Sequence, residues 1–154
     1  MARGGAGAVR ARVVLGAAVV LLVAGCSGDD AGTPDPPAGD VVLRVVVENE
    51  VARDWTLADL EAEVAFVEIV IDDDVQTGPR LLDVIAASGI AEWETGEVLG
   101  MSEGRVIEVA LDIDAATVDE AWVLDVTNRG TLKLAAPDLP RQQWVRDVGE
   151  ISFP

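Results

Sequence analysis

Apolar and polar residues alternate in several parts of this chain, and these parts predict β-strands. The clearest is Ile107–Asp114, where branched apolar residues occupy every second position and acidic or small residues lie between them. A period of two places the apolar side chains on one face, so Asp112 and Asp114 are predicted to face solvent. Further strands are predicted at residues 41–48, 64–71, 122–126, 131–134 and 145–153, the third and fourth joined by a hairpin turn at 127–130.

Helix-terminal signals predict two short helices between these strands. Thr56 and Asp59 have the spacing of a capping box, which starts a helix. The second helix is predicted to have Pro79 as its first residue and to end at Gly89. Another capping box at 117–120 predicts one or two further turns. Because strands and helices interleave without regular alternation, the predicted fold class is α+β, a single compact domain with a mixed β-sheet over residues 41–154.

The N-terminal residues have the pattern of a bacterial lipoprotein signal. Residues 1–12 carry three arginines and no acid, residues 13–23 are apolar, and Ala24-Gly25 precede Cys26, the only cysteine. The apolar run is too short to cross a bilayer. We therefore predict a signal peptide at 1–25, a diacylglyceryl group on Cys26 and attachment to the extracytoplasmic face of the cell membrane. The alternative is an ordinary signal peptide followed by a free cysteine.

The next residues predict a tether between the anchor and the domain. Residues 26–40 follow the cleavage site and are rich in proline, glycine and aspartate, without a large apolar side chain. Such a segment cannot bury enough surface to order itself, so a disordered linker is expected.

The charge of the chain limits its partners. The formal net charge is −17 at pH 7, and this field repels nucleic acid and anionic lipid headgroups. A cation or a basic protein of the cell envelope is the kind of partner it favours. The alternative is that the acidity only keeps the domain soluble.

The order of the predicted segments resembles that of a known family, the oxidoreductase molybdopterin-binding domain of sulfite oxidases. Three segments carry the resemblance: WTLADL at 55–60, TGPRLLDVI at 77–85 followed by Gly89-Ile90, and WVRDV at 144–148 before Glu150-Ile151. The resemblance implies the family fold and molybdopterin as a cofactor. It also implies a ligand groove formed by residues of the second and third segments: Thr77, Gly78, Arg80, Trp144 and Arg146.

Two features of the chain separate it from the enzymes of that family. The family binds molybdenum through a cysteine between the second strand and the second helix, whereas this chain has only residues 72–76 there, without cysteine. The chain also contains no histidine, which removes the usual acid–base group at neutral pH and the serine triad. We therefore expect a domain without catalytic residues that binds a ligand or a protein.

A weaker pattern predicts a cation site. Asp72, Asp74, Gln76 and Asp83 offer oxygens at positions 1, 3, 5 and 12 of a calcium-type loop, although Thr77 stands where a glycine is expected. The alternative is a solvated acidic strand end. A second acidic group, Asp112, Asp114, Asp119 and Glu120, has the same two interpretations.

Among the tryptophans, Trp55 and Trp122 occupy predicted core positions, whereas Trp93 and Trp144 are candidates for surface contacts or for burial. Three functions remain open from the sequence. The first is a membrane-anchored binding domain, and the second is a pterin-binding subunit of a membrane redox complex. The third is an acidic structural protein of the envelope, which would have no pocket.

Overall fold

A computed structural model describes residues 39–102 and 105–154, which fold as a mixed β-sheet with a few short helices, in the α+β class. The predicted signal peptide, Cys26 and the predicted linker up to residue 38 lie outside the described residues. The strands are β1 (Val41–Val47), β2 (Glu50–Thr56), β3 (Phe66–Ile71), β4 (Asp74–Pro79), β5 (Thr95–Met101), β6 (Ile107–Asp114), β7 (Val123–Val126), β8 (Leu132–Ala135) and β9 (Val148–Phe153). The helices are α1 (Leu57–Glu63), α2 (Leu81–Ala87) and a 3₁₀ turn at Arg141–Gln143.

The main sheet has the strand order β2-β1-β9-β5-β6. β1 and β9 run parallel, with Arg44 opposite Glu150, and the other pairs are antiparallel. The β7–β8 hairpin joins the sheet where Leu132 lies opposite Val148. β3 and β4 form a separate hairpin. No helix within residues 39–102 and 105–154 is long and apolar enough to cross a membrane.

The hydrophobic core lies on one face of this sheet. Alternate residues of β1, β5 and β9 are fully buried there, among them Leu43, Val98 and Ile151. The helices contribute apolar side chains from one side only, because each is a two-turn amphipathic element. The prediction that Trp55 and Trp122 are core residues is confirmed, since both are at most 2% exposed.

The predicted capping box at the start of α1 is confirmed. The Thr56 hydroxyl accepts a hydrogen bond from the Asp59 amide at 3.1 Å, and the Asp59 carboxylate accepts one from the Thr56 amide at 3.1 Å. The Thr56 hydroxyl also donates to Asp59 Oδ2 at 2.6 Å. These bonds to the charged form lower the pKa of the Asp59 carboxyl below its ordinary value, the side-chain bond contributing most.

Asp59→Asn is expected to reduce the dependence of stability on acid pH. A carboxyl with a lowered folded-state pKa stabilises the protein above its unfolded-state pKa, and this contribution disappears as the pH falls through the folded-state value. The Tm of the wild-type chain should therefore decline more steeply than that of Asp59→Asn below about pH 4. Thermal unfolding across pH measures this. Asp138→Asn at an exposed position is the control, and equal slopes for all three proteins would contradict the assignment.

The predicted start of the second helix is wrong. Pro79 ends β4, opposite Phe66 of β3, and α2 begins two residues later at Leu81 with Arg80 as its N-cap. Gly78 also belongs to the strand, because it pairs with Val67 of β3, and its backbone lies directly against that of Leu124 in β7. The proline therefore terminates a strand and does not open the helix.

The predicted helical turns at residues 117–120 are also wrong. The Thr117 hydroxyl donates to the Asp114 carbonyl oxygen at 2.9 Å, and the Val118 amide donates to the same oxygen at 3.1 Å. Residues 115–117 form a turn that leaves β6. The threonine thus bonds backward to the end of the strand, where a helix cap would bond forward to residue 120.

Strand β6 has the predicted bounds, but its register with β5 shifts between Val109 and Ile107, and only part of its predicted apolar face is buried. Ile113 is buried and Leu111 is partly buried, whereas Ile107 is 55% and Val109 48% exposed. Asp112 and Asp114 are exposed, as predicted. Strands β2, β4 and β5 were not predicted from the pattern.

Candidate functional site

The region around Thr77 is built where β4 crosses β7. A Cβ atom on Gly78 would overlap the carbonyl oxygen of Leu124, so only glycine lets the two strands approach this closely. The adjacent Thr77 amide donates to Asp125 Oδ1 at 2.8 Å. The Asp125 carboxylate of β7 thus accepts the hydrogen bond that a neighbouring strand would otherwise accept from this amide. The bond holds Thr77 beside the β7–β8 hairpin.

Asp125 also bonds across the hairpin. It lies directly opposite Lys133 in the register of β7 and β8, and Lys133 Nζ is 3.0 Å from Asp125 Oδ2. Both carboxylate oxygens are thus engaged, one by the backbone of β4 and one by an ammonium group. The two charges neutralise each other beside Thr77.

Trp144 lies next to this pair. Its indole nitrogen donates to the carbonyl oxygens of Ala136 and Leu139 at 3.0 and 3.2 Å. Lys133 Nζ is 5.6 Å and Arg141 Cζ is 5.4 Å from the centre of the Trp144 ring, within cation–π range. Lys133 therefore links the indole to Asp125, and Arg141 links it to the β3–β4 turn.

Arg141 connects the same cluster to the turn of the β3–β4 hairpin. Its guanidinium lies 3.3 Å from an oxygen of Asp72 and 2.7 Å from one of Asp74, and it also donates to the carbonyl of Ile71 at 3.1 Å. The hydrogen bond with Asp74 is the main cause that raises the pKa of Arg141 above its ordinary value. The arginine thus forms ion pairs with both Asp72 and Asp74 at the acidic turn.

A groove opens at the surface of these residues. It has a volume of about 410 Å³, and we call it the Thr77 groove. It is lined by residues of β4, of β7 and of the β7–β8 turn and strand: Val75, Thr77, Asp125, Val126, Thr127, Asn128 and Lys133. Its exposed hydroxyl and amide groups suit a polar ligand, because the charged groups at its base are paired with each other.

The structure brings together some of the residues predicted to form a groove. Thr77 lines it, Gly78 lies beneath it against β7, and Trp144 adjoins it through Lys133. Arg80 and Arg146 are not among its lining residues. Arg80 is the N-cap of α2 and forms a backbone bridge with Val123, and the carbonyl of Arg146 faces Gly100 of β5.

The sequence pattern did not predict three residues of the groove: Asp125, Asn128 and Lys133. The predicted hairpin brings the first and last of these near each other, but its four-residue turn at 127–130 would place Asp125 opposite Leu132. In the structure Val126 lies opposite Leu132, so the register is shifted by one residue and Asp125 lies opposite Lys133. Asn128 lies at the tip of that turn. Its position against β4 follows from tertiary packing, which the local pattern does not contain.

The residues of the predicted cation site occupy two different settings. Asp72 and Asp74 are bonded to Arg141 at the hairpin turn, whereas Asp83 lies in the first turn of α2. Within the described part of the chain, no three acidic or cysteine side chains are grouped so that they could hold a metal ion. Asp112 and Asp114 line a separate pocket.

This acidic pocket has a volume of about 580 Å³ and lies at the end of β6. Residues from the β1–β2 turn, β5, β6 and β9 line it, including Glu48, Glu97, Asp112, Asp114 and Phe153. Phe153 packs edge-to-face on Trp93, with 5.3 Å between the ring centres. Trp93 is therefore partly buried beside this pocket, and its contact is internal.

Asp125→Ala is expected to destabilise the domain by about 1–3 kcal/mol, because it leaves the Thr77 amide and Lys133 without their acceptor. Urea unfolding measures the difference from wild type. Asp138→Ala removes an exposed carboxylate and is expected to stay within about 0.5 kcal/mol of wild type. Equal stability of the two variants would show that Asp125 does not hold β4 on the hairpin.

No family model and no curated protein matches this chain.

Proposed function

We propose that this chain is a lipid-anchored extracytoplasmic binding protein whose domain has the fold of the oxidoreductase molybdopterin-binding family. Its anchor is Cys26 and its ligand site is the Thr77 groove. The observation that carries the binding role is the convergence of sequence-distant polar groups, Thr77 from β4 and Asn128 and Lys133 from the β7–β8 hairpin, on one surface groove. The order of the family-like segments supports the fold assignment.

The described residues do not fit a molybdenum-bound pterin. β3 and β4 are joined by the two-residue turn Asp72-Asp73, both with positive φ, where the family carries the loop with its thiolate. The side-chain oxygens at this turn belong to carboxylates bonded to Arg141. Carboxylates prefer hard cations, whereas molybdenum in this family is bound by sulfur. The proposed function is therefore binding without oxotransfer.

The chemistry of the groove indicates what it binds. Asp125 and Lys133 are paired at its base, so a strongly charged ligand would have to break that pair. The other polar lining groups are the hydroxyls of Thr77 and Thr127 and the amide of Asn128, which can donate and accept hydrogen bonds. The Thr127 hydroxyl also bonds to that of Thr131 at 2.8 Å. A polar, uncharged group of a small molecule or of an envelope protein is the ligand that these side chains suit.

Site-specific photo-crosslinking tests the proposal. A photo-reactive residue in place of Asn128, in the full chain within its own membrane, is expected to give a discrete crosslinked product. Thr77→Arg, which fills the groove, should abolish this product, and the same photo-reactive residue at exposed Glu92 should not form it. The proposal is wrong if the product survives Thr77→Arg, or if stoichiometric molybdenum and pterin co-purify with the chain.

A further inference from the structure

Strand β6 has an open edge. It pairs with β5 on one side, and no strand within residues 39–102 and 105–154 pairs with its other side. The Ala115 amide donates to the Glu94 carbonyl at 2.9 Å, one pair beyond Thr95 and Asp114. This bond fixes the phase of the antiparallel ladder, so Ala110 and Asp112 direct their backbone N–H and C=O groups toward the open edge.

One face of this edge is apolar and exposed. Val109 lies opposite Gly100 on the buried side of the sheet, beyond the core, and is 48% exposed. Past a register shift in the ladder, Ile107 and Val106 are 55% and 60% exposed. Large apolar side chains that are adjacent at a strand edge indicate a contact surface more strongly than single ones do.

The other face of the same edge is acidic. Glu108, Asp112 and Asp114 alternate with the apolar residues, and Glu97 of β5 lies opposite Asp112. None of these four carboxylates forms an ion pair with another described residue, although seven ion-pair contacts are made elsewhere in that part of the chain. Three of the four also line the acidic pocket at the end of the strand.

We propose that the open edge of β6 binds an extended segment of a partner protein in which basic and apolar side chains alternate. Added to the sheet as a further strand, such a segment would bond to the outward backbone groups of Ala110 and Asp112. Its side chains would alternate between the two faces, the apolar ones beside Val109 and the basic ones beside the carboxylates. The far end of the segment would enter the acidic pocket.

The charge of β6 selects this occupant over a second copy of the chain. Two antiparallel β6 strands would bring Glu108, Asp112 and Asp114 of both copies onto one face, and like charges on paired strands destabilise the pairing. The proposed segment has the opposite charge pattern. The inference adds a second binding site to the proposed function, since β5 and β9 separate β6 from the β7–β8 hairpin that lines the Thr77 groove.

Binding of a synthetic peptide tests this inference. The probe is an end-blocked, fluorescein-labelled peptide of eight residues that alternates lysine and valine, and the protein is the full chain purified in detergent. Fluorescence anisotropy is expected to show saturable binding, at least about tenfold tighter than for a peptide with four lysines followed by four valines. Equal affinities for the two peptides would overturn the proposal, since they indicate attraction by net charge alone.

Variants of β6 locate the site. Ala110→Pro removes an outward amide while leaving the ladder to β5 intact, and it is expected to weaken binding at least about tenfold. Glu108→Gln with Asp112→Asn should weaken it at least about threefold. The matched control, Glu61→Gln with Glu92→Gln, changes the net charge equally at exposed positions away from β6 and should leave the affinity unchanged.

Other outcomes contradict the proposal directly. If Ala110→Pro keeps its Tm and binds the alternating peptide as tightly as wild type, the edge is not the site. If sedimentation shows a dimer of the wild-type chain that Ala110→Pro dissociates, the occupant is a second copy. If the Thr77→Arg variant, and not the β6 variants, loses the peptide, the segment binds in the Thr77 groove.

Discussion

Gly78→Ala is expected to destabilise the domain by more than about 3 kcal/mol, a large part of the stability of a domain of this size. The new Cβ atom would overlap the backbone carbonyl of Leu124 and come close to the Cα atom of Asp125. Neither atom can move without displacing β7. Strand β4 would therefore separate from the hairpin, and urea unfolding with circular dichroism measures the loss.

Gly149→Ala is the matched control for this substitution. A Cβ atom there would lie 3.1–3.2 Å from the side chain of Met101, which is flexible enough to shift. The expected cost is below about 1 kcal/mol. If the two variants unfold at the same urea concentration, the close approach of β4 and β7 does not carry the stability assigned to it.

Cys26→Ser is expected to release the protein from the membrane almost completely. If Cys26 carries a diacylglyceryl group, two acyl chains hold the protein on the bilayer, each buried CH₂ contributing about 0.8 kcal/mol. Serine has no sulfur for this modification. Cell fractionation should show the wild type in the membrane fraction and the variant in the soluble fraction. Intact-mass measurement of the purified chains should show the added lipid mass on the wild type only.

Ser27→Ala leaves Cys26 in place and is expected to fractionate with the membrane like the wild type. An unmodified thiol at Cys26 in the wild-type protein would contradict the anchor. The domain could still bind ligands in that case, because the Thr77 groove and the edge of β6 are formed by residues 75 and beyond.

The strands with strong alternation or dense branched residues could be predicted, and those that depend on turn geometry could not. β6 shows a period of two over its full length, and its predicted bounds match the structure. β2 and β4 follow two-residue turns in which both residues have positive φ, Glu48-Asn49 and Asp72-Asp73. Turns of this kind usually contain glycine, so the residues present predict a strand end at the first turn and an acidic loop at the second.

β5 was missed because two of its positions require glycine for packing. A Cβ atom on Gly96 would come within 3 Å of the Phe153 ring, and one on Gly100 would lie 2.6 Å from the Arg146 carbonyl oxygen. Glycine within a strand lowers the local propensity of that segment to form a strand. These two positions require glycine because they contact β9 or the segment before β9, which the local sequence does not indicate. The same holds for Gly78, whose neighbour Leu124 is distant in sequence.

The pairing of β1 with β9 has a consequence for the order in which the sheet can form. The strand at the centre of the sheet, β9, is flanked by β1 and β5 and comes after all the other described strands in the chain. Until it emerges, the earlier strands lack the neighbour that joins them, and closure of so long a loop makes folding slow. If the chain is exported as we propose, this delay would keep it extended enough to pass through a translocation channel before the sheet closes.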